Sequence, residues 1–220
     1  MQKTVQRRVL FFILFFALFA QGINAQVISD GFPSYSIVPG RVDQDGFSVS
    51  SAKLCLKSNK SACYRIPAGK FDDSFGLEPK ATRIDSPNAP WVLFEAHGSG
   101  GSGYAYHVAI LRYRRQPEEL HNVLPPIELS NLDDWDTMEL PEVSRFPFFV
   151  AAHYEWRRME AHYSAHRYEI VAYKFDERAM RYRKVMSYET TKKYSINDTD
   201  RVSVLKFERQ KLASHLRKLQ

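Results

Sequence analysis

A short stretch of the sequence contains three histidines and a glutamate that could together ligate a metal ion. These residues are His153, Glu160, His162 and His166, which fall within a window of fourteen residues. Imidazole nitrogens and carboxylate oxygens are common ligands of catalytic zinc, and they must converge at about 2 Å from the ion. Such a site would activate a bound water and make the protein a metal-dependent hydrolase with zinc as its cofactor.

Whether these side chains converge depends on the local secondary structure. On a helix, His162 and His166 are four residues apart and share one face. On a strand, the same spacing separates them by about 13 Å, so that only one of them could join His153 across a turn. No His-Glu-x-x-His or Cys-x-x-Cys pattern accompanies the cluster. The alternative is a set of ordinary cross-strand pairs with no cofactor, and the sequence leaves both interpretations open.

Four aromatic residues lie beside predicted loops and could form a ligand-binding surface. Tyr104 and Tyr106 follow the glycine-serine segment 98–103, whereas Trp156 and Tyr163 flank a predicted turn. Aromatic rings beside a loop can stack on sugar rings or anchor a partner protein. The alternative is that these rings pack along the edges of a sheet.

The glycine-serine segment 98–103 matches the Gly-x-Gly-x-x-Gly pattern of dinucleotide-binding loops. In such loops a helix follows the last glycine, and its N-terminus binds the pyrophosphate. Residues 104–113 instead alternate like a strand, so we interpret the segment as a hairpin loop. The sequence contains no complete catalytic motif, which favours a protein that is not an enzyme.

Two cysteines, Cys55 and Cys63, are the complete set in this chain. Seven residues separate them, including Ser58, Asn59 and Lys60, which favour a turn. The spacing predicts a hairpin whose arms, residues 52–56 and 62–66, are joined by a disulfide. Such a bond forms in an oxidising compartment.

The N-terminus has the layout of a secretory signal peptide. Lys3, Arg7 and Arg8 precede the apolar run 9–20, and small residues follow up to Ala25. The run is shorter than the roughly 20 residues of a membrane span. We predict that residues 1–25 are removed and that residues 26–220 form a single β-rich domain without a transmembrane span, located in the periplasm or secreted.

The charge balance argues against nucleic acid as a partner. The chain contains 31 Lys and Arg against 25 Asp and Glu, and the predicted signal peptide removes three of the cations. The remaining 28 cations nearly balance the acidic residues, so the strong basic footprint of a nucleic-acid-binding domain is missing.

The elements that must position these residues are mainly strands. Val, Ile, Tyr and Phe alternate with polar residues between frequent Gly and Pro, which predicts antiparallel sheets arranged as a sandwich, a meander or part of a propeller-like fold. Leu205, Leu212, Leu216 and Leu219 recur at helical spacing and predict a C-terminal amphipathic helix covering one sheet face. Asp198 or Asp200 would cap its N-terminus.

One internal similarity suggests two related β halves. Residues 92–97 resemble residues 148–153, and residues 110–113 resemble residues 170–173. Both pairs would form a strand, a loop and a returning strand, as expected of a duplicated β-meander. Chance similarity between strands is the alternative.

These observations support three functional hypotheses. We expect first an exported, non-catalytic module that binds a protein or a glycan. The second hypothesis is a metal-dependent hydrolase that uses His153, His162 and His166. The third is a structural envelope protein whose basic C-terminal helix contacts anionic lipid or polymer.

Overall fold

A computed structural model describes residues 31–69, 74–99, 105–157, 160–161, 164–195 and 203–219. The described chain is mainly β, with three antiparallel sheets and a C-terminal helix, which confirms the predicted fold class. The predicted signal peptide, residues 1–25, lies outside the described residues, as do Tyr104, His162 and Tyr163.

The strands follow the apolar segments of the sequence and end at turn-forming residues. The described strands are β1 (Tyr35–Val38), β2 (Lys53–Leu56), β3 (Cys63–Arg65), β4 (Leu77–Ser86), β5 (Ala89–His97), β6 (Ala105–Arg114), β7 (Glu119–Asn122), β8 (Glu128–Ser130), β9 (Asp134–Met138), β10 (Phe148–Tyr154), β11 (Tyr168–Asp176) and β12 (Arg181–Glu189). The helix α1 spans Val204–Arg217.

The strands pair antiparallel in three sheets. A small sheet has the order β1-β2-β3, and a second sheet has the order β4-β5-β6-β7, with β8 also pairing with β6. The third sheet has the order β12-β11-β10-β9. Most neighbours in a sheet are also neighbours in sequence, as expected of hairpins and meanders.

The three sheets and the helix are stacked in four layers around three apolar cores. The central core lies between the two larger sheets and contains Trp91 and Ile110 from one sheet and Phe149 from the other. The side chains on the other face of the second sheet pack against the small sheet, and those on the other face of the third sheet pack against α1. Both larger sheets are therefore apolar on both faces.

The predicted hairpin of residues 52–66, which we call the stapled hairpin because a disulfide joins its arms, is present. Cys55 and Cys63 face each other across β2 and β3 and form a disulfide. Leu54 and Ile66, on the arms of this hairpin, are fully buried against the second sheet. The disulfide is compatible with an oxidising location outside the cytoplasm.

Two segments without a strong strand pattern also contain strands. The glycines and prolines of residues 26–46 predict an irregular segment, but this segment contains β1, because Tyr35 and Ile37 pack against the core and pair with β2. The sequence of residues 114–145 predicts a long acidic connection with short strands near Ile127 and Met138, and the structure has the short strands β7, β8 and β9 there.

The helix forms where predicted, but its N-cap is Ser203 rather than Asp198 or Asp200. The Ser203 side chain accepts a hydrogen bond from the Lys206 amide. Leu205, Leu212 and Leu216 are buried, whereas Leu219 is 46% exposed because it lies beyond the last helical turn.

The two hairpins with similar sequences pair in different registers. In the first hairpin Val92 pairs with Leu111. The corresponding residues of the second hairpin are Phe148 and Val171, so an exact repeat would pair these two. Val171 instead pairs with Ala151, a shift of three residues. An odd shift reverses the faces of one strand relative to the other. The registers therefore give no support to a duplication.

Candidate ligand-binding surface

His153 lies on the side of β10 that faces the central core. Its neighbour two residues earlier, Ala151, packs in that core. The His153 Nδ1 atom is 3.3 Å from the buried carboxylate of Asp133. The same carboxylate accepts hydrogen bonds from the Tyr154 and Ser130 amides at 2.7 and 2.9 Å. His153 thus belongs to a polar junction that fixes the end of the strand.

His166 lies on the opposite side of the same sheet. Its ring is 1% exposed in side-chain area and packs 4.3 Å from the Tyr154 ring, which faces the helix side of β10. The His166 Nδ1 atom is 3.0 Å from a Glu160 carboxylate oxygen. Its Nε2 atom is 2.9 Å from the Ala161 carbonyl oxygen and 3.2 Å from Ser164 Oγ.

The predicted metal ligands are therefore not brought together where they are described. His153 and His166 are separated by the sheet, because His166 packs against Tyr154, and the consecutive residues His153 and Tyr154 of β10 face opposite sides. Both ring nitrogens of His166 are already engaged by protein acceptors. Within the described residues, no group of three or more His, Cys, Asp or Glu side chains is placed to hold a metal ion. His162 lies outside those residues.

Ser164, His166 and Glu160 have the atom-to-atom distances of a serine–histidine–carboxylate triad. In such a triad the serine hydroxyl must donate its proton to the imidazole. Here Ser164 Oγ donates to the Ala161 carbonyl at 2.7 Å, and the same carbonyl faces His166 Nε2. A carbonyl oxygen at that position requires a proton on Nε2, so the imidazole cannot act as the base. The network locks the loop instead of activating the serine.

Tyr106 and Trp156, two of the predicted ligand-binding residues, lie in different parts of the molecule. Tyr106 packs between the larger sheets, 5.0 Å from the Trp135 ring and 5.3 Å from the His97 ring. Trp156 is 56% exposed and lies just beyond the end of β10. The predicted four-residue surface therefore does not include Tyr106.

Trp156 is the exposed end of a row of aromatic rings on the helix side of the third sheet. Neighbouring ring centroids in this row are 4.3–6.2 Å apart. The row consists, in order, of Trp156, His166, Tyr154, Tyr168, Tyr194 and Phe207. Its two ends are exposed, since Phe207 is 65% exposed, whereas Tyr168 in the middle is fully buried. We call this set the aromatic row.

Charged side chains surround the Trp156 end of the aromatic row. Glu160 pairs with Lys193 at 2.6 Å, and Arg157 pairs with Glu189. The hydrogen bond from Lys193, with those from the Arg157 amide and His166, lowers the pKa of Glu160 to about 2. Glu160 is therefore a carboxylate at every physiological pH and remains hydrogen-bonded to His166.

The Phe207 end of the aromatic row is fixed by a buried carboxylate of the helix. Glu208 is 5% exposed and accepts hydrogen bonds from the hydroxyls of Tyr188 and Tyr194, at 3.1 and 2.6 Å. Burial, reinforced by Glu208, raises the pKa of both tyrosines. The tyrosines consequently remain neutral donors and tie α1 to the sheet.

Comparison with protein-family models, with curated proteins and with solved structures finds no match to this chain. The function must therefore be inferred from the residues themselves. Within the described part of the chain, no helix has the length and hydrophobicity needed to span a bilayer.

Sequence reasoning identified Trp156, and His166 as a candidate metal ligand, but missed the other members of the aromatic row. Tyr154, Tyr168 and Tyr194 come from three separate segments, and their convergence depends on the pairing of β10 with β11 and of His166 with Tyr194. One member of the row could have been noticed in the sequence. Phe207 is an apolar residue on the otherwise polar face of the predicted helix, opposite the leucines.

Proposed function

We propose that the protein is an exported, non-catalytic glycan-binding module whose contact surface is the exposed ring of Trp156. The observation that carries this proposal is the bracing of that ring. A tryptophan indole that is 56% exposed lies 6.0 Å from the buried ring of His166, which is itself held by hydrogen bonds at both nitrogens. A flat apolar surface held rigidly in solvent is suited to stacking on a sugar ring.

The surroundings of Trp156 favour a glycan over a partner protein. A protein interface has a contiguous apolar core, rich in several aromatic and aliphatic residues. Trp156 is instead bordered by the ion pairs of Arg157 with Glu189 and of Glu160 with Lys193. Sugars present one apolar ring face together with hydroxyls that hydrogen-bond to charged groups, so this mixture of groups fits them better.

Export is supported by the arrangement of the N-terminus and by the disulfide. The cationic residues, apolar run and small residues of segment 1–25 are the features of a signal peptide. The Cys55–Cys63 bond is the form that an oxidising compartment would produce.

Binding of the exported, purified protein to a broad glycan array tests the proposal. We expect a discrete set of glycans to bind, and Trp156→Ala to abolish that binding while leaving the circular dichroism spectrum unchanged. Phe47→Ala is the matched control, because Phe47 is 55% exposed but lies near the small sheet.

Two results would contradict the proposal. One is equal binding of glycans by the Trp156→Ala and wild-type proteins. The other is an empty array combined with a partner protein that is captured only when Trp156 is present, which would replace the glycan with a protein ligand.

A further inference from the structure

The positive charge of the protein is concentrated on its C-terminal helix. Residues 204–219 contain five cations and one acidic residue, a net charge of +4. The chain without segment 1–25 contains 28 cations and 25 acidic residues, a net charge of +3. The rest of the protein is therefore slightly acidic, and the helix presents an oppositely charged surface of its own.

The one acidic residue of the helix does not weaken this surface. Glu208 is buried and accepts hydrogen bonds from Tyr188 and Tyr194 on the side of the helix that faces the sheet. Its carboxylate is therefore directed away from solvent. The solvent face of α1 is left with cationic, neutral polar and apolar side chains.

The five cations differ in their ion pairing with acidic residues in the part of the chain that the structure describes. Arg217 is paired with Glu142 at 2.7 Å, and Lys211 lies between Glu208 and the Tyr188 ring. The other three are exposed and lie within ion-pair distance of no acidic side chain in the described ranges. They are Lys206, Arg209 and Lys218.

An exposed apolar side chain also lies on this basic surface. Phe207, in the first turn of α1, is 65% exposed. Cations combined with an outward apolar side chain are found on helices that lie on a membrane surface. A soluble polyanion would offer Phe207 no apolar group to bind.

We propose that the solvent face of α1 binds the surface of a bilayer rich in anionic phospholipid. The apolar face of the helix stays packed against the third sheet, so the helix lies on the bilayer as part of the folded protein. Lys206, Arg209 and Lys218 contact the headgroups, and Phe207 enters the interface. Each cation near such a surface strengthens binding about five-fold, and salt weakens the attraction.

Flotation with extruded vesicles tests this proposal on the exported, purified protein. We expect binding to vesicles of 30% phosphatidylglycerol in phosphatidylcholine, weak binding to pure phosphatidylcholine, and release at high salt. The triple variant Lys206→Glu, Arg209→Glu and Lys218→Glu should lower the partition coefficient at least 50-fold, and Phe207→Ser several-fold.

A second triple charge reversal is the matched control. Arg41→Glu, Lys57→Glu and Lys60→Glu change the net charge equally but lie on the small-sheet side of the molecule. If both triple variants lose binding to the same extent, attraction by net charge replaces a helix-specific surface and the proposal fails.

Three other results would also overturn the proposal. They are equal binding to neutral vesicles, no effect of Phe207→Ser, and binding to soluble dextran sulfate without binding to the anionic vesicles. Trp156→Ala is expected to float like the wild type, so failure of the glycan proposal and failure of the lipid proposal are distinguishable.

Discussion

Asp134, the first residue of β9, caps the helix that begins near Ser203. One carboxylate oxygen of Asp134 accepts hydrogen bonds from Ser203 Oγ at 3.0 Å and from the Leu205 amide at 2.9 Å. The first turn of α1 therefore depends on an acidic residue that is about 70 positions earlier in the chain. One acidic residue of the long connection between β6 and β10 thus has a structural role at the helix.

Removing this cap should destabilise the protein without changing its fold. We expect Asp134→Ala to lower the free energy of unfolding by about 1–2 kcal/mol, because the helix loses an N-terminal acceptor. Urea unfolding followed by circular dichroism measures the change. Ser203→Ala and the double variant complete a mutant cycle, in which the two losses should be less than additive. Full additivity would show that the two residues act independently.

His107 should make the protein less stable in mild acid. Its side chain lies between the small and second sheets, with Nε2 3.4 Å from the Tyr64 hydroxyl, which also contacts Asn122. Burial lowers the pKa of His107 from 6.5 to about 4. Between these two pKa values the unfolded chain therefore binds a proton that the folded protein does not bind. The free energy of unfolding consequently falls as the pH drops from about 6.5 towards 4.

Comparison with a variant isolates this effect from that of the carboxylates. Between pH 7 and pH 4.5, we expect the free energy of unfolding to fall by about 2 kcal/mol more for the wild-type protein than for His107→Gln. The difference between the folded and unfolded pKa of His107 sets the size of this effect. Unfolding in urea at a series of pH values gives both curves. Parallel curves for the two proteins would mean that His107 is protonated in the folded state.

His166 should control the position of the Trp156 ring. Replacing it by Phe keeps a ring but removes both ring nitrogens, so the Glu160 carboxylate and the Ala161 carbonyl lose their contacts with them. We expect the free energy of unfolding to fall by about 2–3 kcal/mol and the fluorine resonance of 5-fluorotryptophan at position 156 to shift and broaden. His153→Phe, on the other face of the sheet, is the control and should leave that resonance in place.

Glu208 should be needed as an acceptor and not as an apolar filler. Glu208→Leu leaves the hydroxyls of Tyr188 and Tyr194 without their acceptor, so we expect a loss of about 2–4 kcal/mol in the free energy of unfolding. Glu208→Gln retains one acceptor oxygen and should lose less than half of that. Denaturant midpoints measured for the three proteins decide the order, and equal losses for the two variants would refute this assignment.

Much of the fold could be predicted because local rules determine it. The turn residues between Cys55 and Cys63 set the stapled hairpin, and the leucines of α1 set the helix. Strand β1 was missed because it is four residues long and is followed directly by Pro39 and Gly40. Its stability comes from pairing with β2 and from packing, which the local sequence does not report.

The site could be predicted only in part because strand faces were ambiguous. Strands that are buried on both sides are apolar almost throughout, so alternation does not reveal which residues share a face. On β10, for example, both Phe148 and Phe149 are fully buried. Without that information, the sequence leaves open whether His153 and His166 converge, and in the structure the sheet separates them.

The four-layer arrangement limits where this protein can acquire or change a binding specificity. Both faces of each larger sheet are already covered. The two larger sheets pack against each other, the second sheet also packs against the small sheet, and the third sheet also packs against α1. New contacts can therefore evolve at the rims, where connecting segments vary in length without disturbing a core. Trp156 lies at such a rim, so loop grafting next to it is a natural route to engineering altered recognition on this scaffold.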